Sequence, residues 1–145
     1  MAQVAAASSE GAALPAGARA AAMIAARGLD LTFPTADGPV QALSNVDLEI
    51  GKGEFVSFIG PSGCGKTTFL RVVAGLEYPT GGSIAVNGMT PDAARRARAY
   101  GYVFQAAGLY PWRTIAGNVK LPLEIMGFSK AEQESRVRKV LALVE

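Results

Sequence analysis

Residues 55–68 read FVSFIGPSGCGKTT, and within them Gly60-Pro61-Ser62-Gly63-Cys64-Gly65-Lys66-Thr67-Thr68 satisfies the pattern G-x-x-x-x-G-K-[ST]. A largely apolar run, Phe55 to Ile59, stands in front, and Phe69, Leu70, Val73 and Ala74 recur behind it at helical spacing. The expected local structure is a buried strand, a glycine-rich phosphate-binding loop and a helix that starts at about Lys66. A nucleoside triphosphate carries several negative charges, and a short loop can surround it with N–H donors only if side chains stay out of the way. Gly60, Gly63 and Gly65 are expected to take positive φ and turn their neighbours' N–H groups toward the phosphates. The unpaired amides and positive dipole end of the following helix face the same anion. Lys66 supplies a full charge for the β- and γ-phosphates, the Thr67 hydroxyl is expected to ligate Mg²⁺, and Thr68 to touch an inner phosphate. Pro61, Ser62 and Cys64 fill the variable slots, so the expected nucleotide-binding set runs from Gly60 to Thr68. Cys64 is the only cysteine. It can form no intramolecular disulfide, in keeping with a reducing compartment. A bulky alkylating group on it is expected to block the nucleotide.

Toward the amino terminus, Leu29, Leu31 and Phe33 alternate with Asp30 and Thr32, and Val46, Leu48 and Ile50 alternate with Asp47 and Glu49. That period of two, with Asp37-Gly38 between, predicts an antiparallel hairpin. Toward the carboxyl terminus, Gly75 reads as a helix C-cap, Ser83–Val86 as a short strand, Asn87-Gly88 as a turn and Thr90-Pro91 as the start of a brief helix. Tyr100–Phe104 reads as a second core strand that delivers Gln105 at its carboxyl end, where open α/β sheets bind ligands. Ser129-Lys130-Ala131-Glu132 is a capping box that opens a helix with Val137, Val140, Leu141 and Val144 on one face. No C-cap signal precedes Glu145, so this helix is expected to run to the end of an unfinished domain.

With 145 residues, 50% hydrophobic and 18% charged, the chain has the composition of one globular domain. A net charge of +2 is too small to make nucleic acid the partner, and the arginines at 95, 96 and 98 read as a solvated helix face. Residues 1–22 are alanine-rich, lack a basic segment followed by a sustained apolar core, and are expected to form a flexible tail. No apolar stretch near the start approaches the ~20 residues of a membrane span.

The loop, the glutamine at a strand end, and Tyr110-Pro111-Trp112-Arg113-Thr114-Ile115 after it make the chain similar to the ATP-binding subunit of ABC transporters over Ile24–Glu145. The string VFQAAGLYPWRTIAGNV most resembles importers of the nitrate, sulfonate and taurine type. The resemblance implies an α/β fold: a P-loop NTPase core with an antiparallel β subdomain, truncated at the start of a helical subdomain. Residues 23–117 would hold the β subdomain and core, and 118–145 the start of the helical part. It further implies that Phe33 stacks on adenine and that Gln105 acts with Lys66 in catalysis, ligating Mg²⁺ and the attacking water. The amide of Gln105 offers metal and water an acceptor and a donor without added charge. Ala106–Val119 would receive a permease coupling helix, with Tyr110 and Trp112 as contacts. A second ATP-binding subunit would pair head to tail, a solute-binding protein would act indirectly, and the chain would sit peripherally on the cytoplasmic face of the membrane. The family's signature motif, Walker B strand and switch histidine have no counterpart here, and histidine is absent altogether. Catalysis by these residues alone is therefore not expected. Two other readings stay open: an ABC-type ATPase outside transport, for which the apolar Leu109–Ile115 segment has no obvious use, and an inactive nucleotide-binding fragment.

Overall fold

The computed structural model describes residues 22–106 and 108–144; the expected tail lies outside these residues except for Ala22. They form two compact units, one ending at Tyr102 and the other starting at Val103.

The first unit is built on the predicted hairpin. Strands β1 (Ile24–Thr35) and β2 (Gly38–Ile50) pair antiparallel from Ile24↔Ile50 to Thr35↔Gly38, joined by Ala36 and Asp37. A third strand, β3 (Gly81–Val86), pairs antiparallel with the other edge of β1 and gives the order β2-β1-β3. Buried positions on β1 are Ala26, Leu29 and Leu31, which break a strict period of two. The register shifts between Ala26 and Leu29 account for the change of parity. An extra residue in one strand turns the later side chains of that strand to the opposite face. Gly28, with φ 53°, sits in that bulge, and the Asp47 carboxylate accepts its N–H at 2.9 Å.

Helix α1 (Lys66–Val73) lays Phe69 and Val72 on the sheet, where they join Ala26, Leu29, Leu31 and Leu43 in one core. Phe58 packs against this core with its ring 5.4 Å from that of Phe69. The helix ends as the sequence predicts. Gly75 N–H bonds to Val72 O at 3.0 Å and Leu76 N–H to Arg71 O at 2.9 Å, the paired bonds of a glycine-terminated helix. Helix α2 (Pro91–Arg96) is capped by Thr90, and its Arg95 and Arg96 both pair with Asp92. Their hydrogen bonds and charge hold the Asp92 carboxyl below its ordinary pKa, Arg95 foremost. The Tyr100 hydroxyl donates to Ala74 O, and its burial raises the phenol's pKa.

Two expectations fail here. Neither 55–59 nor 100–104 is a strand: both are irregular, with Phe55 and Val103 each 95% exposed. Apolar, β-prone residues make a strand only where they join a ladder, and neither run is part of a strand among the described residues. Gln105 accordingly comes after an irregular segment rather than a strand end.

The second unit holds α3 (Ile115–Ile125), capped by Thr114, and α4 (Lys130–Leu141). The capping box forms: Ser129 Oγ accepts Glu132 N–H at 3.4 Å, and the Glu132 carboxylate accepts Ser129 N–H at 3.1 Å. The Ser129 hydroxyl also donates to the Glu132 carboxylate at 2.6 Å, and this bond first, then that from Ser129 N–H, lowers the Glu132 pKa. The helix does not run to the chain end; it closes at Leu141, with Ala142 as its C-cap. Its expected apolar face is also corrected, because Val137 is buried while Val140 and Val144 are exposed. Gln133 is buried beside Val137, donating to Phe128 O at 2.7 Å.

Candidate functional site

The loop of residues 60–68 leads directly into α1, so the first turn of that helix forms one wall of any site built there. Gly65 is its N-cap residue with φ 90° and ψ −1°, and the helix's own bonding begins with Phe69 N–H to Gly65 O at 2.8 Å. No side chain caps this end, and no acidic residue lies in the first turn. Its leading amides and positive dipole end are therefore not neutralised by a cap or by an acidic residue of that turn.

The three glycines of the loop are required for different reasons. At Gly65 a Cβ would lie 2.7 Å from Ala42 O and 3.1 Å from Leu43 Cδ2, so the loop rests directly on the backbone of β2 while holding a left-handed conformation. Gly63 also has positive φ, at 79°. Gly60 does not, which corrects the expectation for it. Its constraint is steric: a Cβ there would lie 2.8 Å from Cys64 Sγ. Cys64 is 7% exposed and acts as an internal filler of the loop.

The Lys66 ammonium folds back onto this loop, donating to Gly60 O at 2.8 Å, Pro61 O at 2.7 Å and Cys64 Sγ at 3.3 Å. An ammonium has three donors, and all three are engaged. An incoming phosphate oxygen would take over one of them, and the long contact to a weak sulfur acceptor is the one given up at least cost. Thr67 is exposed and Thr68 half-buried in the first turn, while Pro61 and Ser62 are exposed.

Phe33 lies partly buried against the core, opposite Val40 on β2. Val40 stands two residues before Ala42, whose carbonyl backs Gly65. Gln105 is exposed and belongs to the second unit. Among the described residues no group of three or more His, Cys, Asp or Glu could hold a metal ion. The Thr67 hydroxyl is a hard oxygen of the kind that completes a Mg²⁺ shell made mostly of phosphate and water. The support that Ala42 and Leu43 give the loop has no sequence signal, because it depends on where a hairpin strand passes beneath the turn.

In the second unit, Tyr110-Pro111-Trp112-Arg113 forms a turn closed by Arg113 N–H to Tyr110 O at 3.0 Å. The Tyr110 and Trp112 rings meet in a tilted arrangement, centroids 4.9 Å apart and planes at 46°, and Trp112 is 76% exposed. No helix among the described residues is long and apolar enough to cross a membrane.

Comparison with known proteins places these features in a family. The ABC transporter family model matches residues 43–145. An uncharacterised ABC transporter ATP-binding protein of Methanocaldococcus jannaschii is 44% identical over 105 residues, covering 72% of this chain and 39% of the relative. A spermidine/putrescine import ATP-binding protein of Ruegeria pomeroyi is 42% identical, covering 84% of this chain and 33% of the relative. A methionine import ATP-binding protein of Shouchella clausii is 41% identical, covering 84% and 37%. The chain thus spans between 33% and 39% of the length of these relatives. A solved dimeric structure of the ATP-binding cassette MJ0796 in a post-hydrolysis state, bound to ADP and Pi, superposes with a TM-score of 0.74 at 34% identity, covering 83% of this chain and 56% of that one.

Proposed function

Because the chain belongs to the ABC transporter family, we propose that it is part of the ATP-binding subunit that energises import of a small solute across the cytoplasmic membrane. One observation carries the reading. A glycine loop seated on β2 ends in a helix whose open N-terminus and whose Lys66 ammonium sit together at the same turn. That arrangement suits a polyphosphate, since backbone donors and one mobile cation approach from a single side.

ATP lies along Gly60–Thr68, with Lys66 on its outer phosphates and adenine on Phe33. Mg²⁺, held by Thr67 and Gln105 together with phosphate oxygens, would neutralise charge as the phosphoryl group moves. Residues 23–117 belong to the β subdomain and core, and 118–145 open the helical subdomain. A second ATP-binding subunit packs head to tail. The Ala106–Val119 segment meets a permease, and a solute-binding protein acts through that permease. The chain lies peripherally at the cytoplasmic face. Three of the relatives support the import reading by name, as import proteins for spermidine and putrescine, methionine, and glycerol 3-phosphate. Within importers we assign the nitrate, sulfonate and taurine type, on the string VFQAAGLYPWRTIAGNV.

Lys66→Ala tests the nucleotide site. Losing one charge-assisted contact costs ~1.5–3 kcal/mol, so calorimetric ATP affinity is expected to fall roughly tenfold to a hundredfold; an unchanged titration sinks the assignment. Detergent extraction of membranes with the tagged chain tests the partner. Recovery of integral membrane subunits is the expected result, and recovery of soluble repair or translation factors in their place would move the protein outside transport.

A further inference from the structure

We infer that Asn118 is a positioning residue for the partner-binding turn, a clasp that fixes the exposed Tyr110–Trp112 pair in one pose before a membrane subunit arrives. The inference rests on the proposed role of Ala106–Val119 in meeting that subunit. Asn118 lies in the first turn of α3, yet its side chain serves the turn before the helix. Its Oδ1 accepts Tyr110 N–H at 2.7 Å, and its Nδ2 donates toward Tyr110 O at 3.1 Å, Arg113 O at 3.2 Å and Thr114 O at 3.0 Å. One amide therefore grips both ends of the 110–113 turn and the cap residue of the helix.

A second fastening comes from Arg113, whose guanidinium donates to Gly117 O at 3.2 Å and to the Glu124 carboxylate at 2.9 Å. Trp112 thus stands between two residues that are each tied to α3. Its ring is nonetheless mostly exposed and touches Tyr110. A large aromatic side chain in water gains little by being held still. Held at the tip of a doubly fastened turn, it can contribute its area to a partner without the ordering cost of a mobile loop. Only asparagine serves at 118 among residues of its size, because the site needs one acceptor and an NH₂ donor group on the same short stem. Aspartate has the same shape but would turn a carboxylate oxygen toward three carbonyl oxygens.

The test uses the single tryptophan of the chain as its own probe. Time-resolved fluorescence anisotropy of Trp112 is measured in the wild-type protein, Asn118→Asp and Asn118→Ala, with helix content monitored by circular dichroism. Binding to the membrane subunits recovered by detergent extraction is then measured in detergent, alongside Trp112→Ala. Expected are a fast anisotropy component in both Asn118 variants at retained helix content, and partner affinity lowered roughly tenfold. The aspartate should be no better than the alanine. An aspartate variant as rigid as wild type overturns the clasp, since space-filling alone would then suffice. A freed tryptophan with unchanged partner affinity overturns the claim that the pose matters. If the wild-type chain recovers no membrane subunit, the partner reading falls instead, and the anisotropy decides the clasp by itself.

Discussion

Gly60 and Cys64 offer a direct test of how the nucleotide loop is built. A methyl carbon on Gly60 would lie 2.8 Å from Cys64 Sγ, about 1 Å inside ordinary contact. The sulfur is buried and has little room to retreat, so relief must come from the backbone at Gly60. That backbone carries a carbonyl that accepts from Lys66 at 2.8 Å, next to the Pro61 carbonyl at 2.7 Å. Overpacking costs about 1–3 kcal/mol; with about 2 kcal/mol felt by the ligand, ATP affinity of Gly60→Ala falls about thirtyfold. Cys64→Ala removes the sulfur together with the weakest of the Lys66 contacts, and is expected to cost no more than about threefold. The double variant should regain most of the loss, a coupling of about 1.5 kcal/mol within the range seen for residues in contact. All four proteins are titrated with Mg-ATP by calorimetry. A double variant as weak as Gly60→Ala would refute the steric account and point to close approach of phosphate at position 60 itself.

Three further predictions concern other parts of the molecule. Gly82 has φ 74°, and a Cβ on it would lie 2.1 Å from Gly28 O, so Gly82→Ala should lose at least about 3 kcal/mol of stability in urea unfolding monitored by circular dichroism; a loss below about 1 kcal/mol would contradict the β1–β3 register. Glu132 has its folded pKa lowered from 4.5 by Ser129, so its capping contribution is fully present above the unfolded value and disappears as pH falls through the lower, folded one. Amide exchange in the first turn of α4, corrected for intrinsic rate, should therefore quicken only in acid, and Ser129→Ala, costing about 1 kcal/mol, should abolish that pH response. Phe33→Ala should weaken ATP roughly tenfold through lost stacking while leaving inorganic triphosphate affinity alone; equal losses for both would make Phe33 a core residue only.

The parts legible in the sequence are those set by neighbours along the chain. The GPSGCGKTT loop, the Asp37-Gly38 hairpin, the Gly75 helix stop and the Ser129–Glu132 capping box each depend on residues within a few positions. The illegible parts are decided across the chain. Phe55–Ile59 and Tyr100–Phe104 have strand composition, but composition cannot say whether a neighbour completes the ladder. Helix α3 is hidden by Pro122, which reads as a breaker yet sits exposed inside the helix. The Thr114 cap is its available signal. The bulge at Gly28 is invisible because it shows only as a change of parity between Ala26 and Leu29. Gly60 misleads because a glycine needed for room and one needed for positive φ look alike as letters.

The seating of Gly65 on the Ala42 carbonyl has a metrical consequence. On the proposed reading, the residue that faces the base and the loop that faces the phosphates are both mounted on one hairpin, through Val40 opposite Phe33 and Ala42 beneath Gly65. Those two mounting points are two strand residues apart, about 7 Å. The hairpin then works as a gauge block, with the span between the two ends of the nucleotide machined into the rise of a single strand. Removing Gln41, which stands between Val40 and Ala42, would shorten that gauge by about one strand residue, ~3.4 Å.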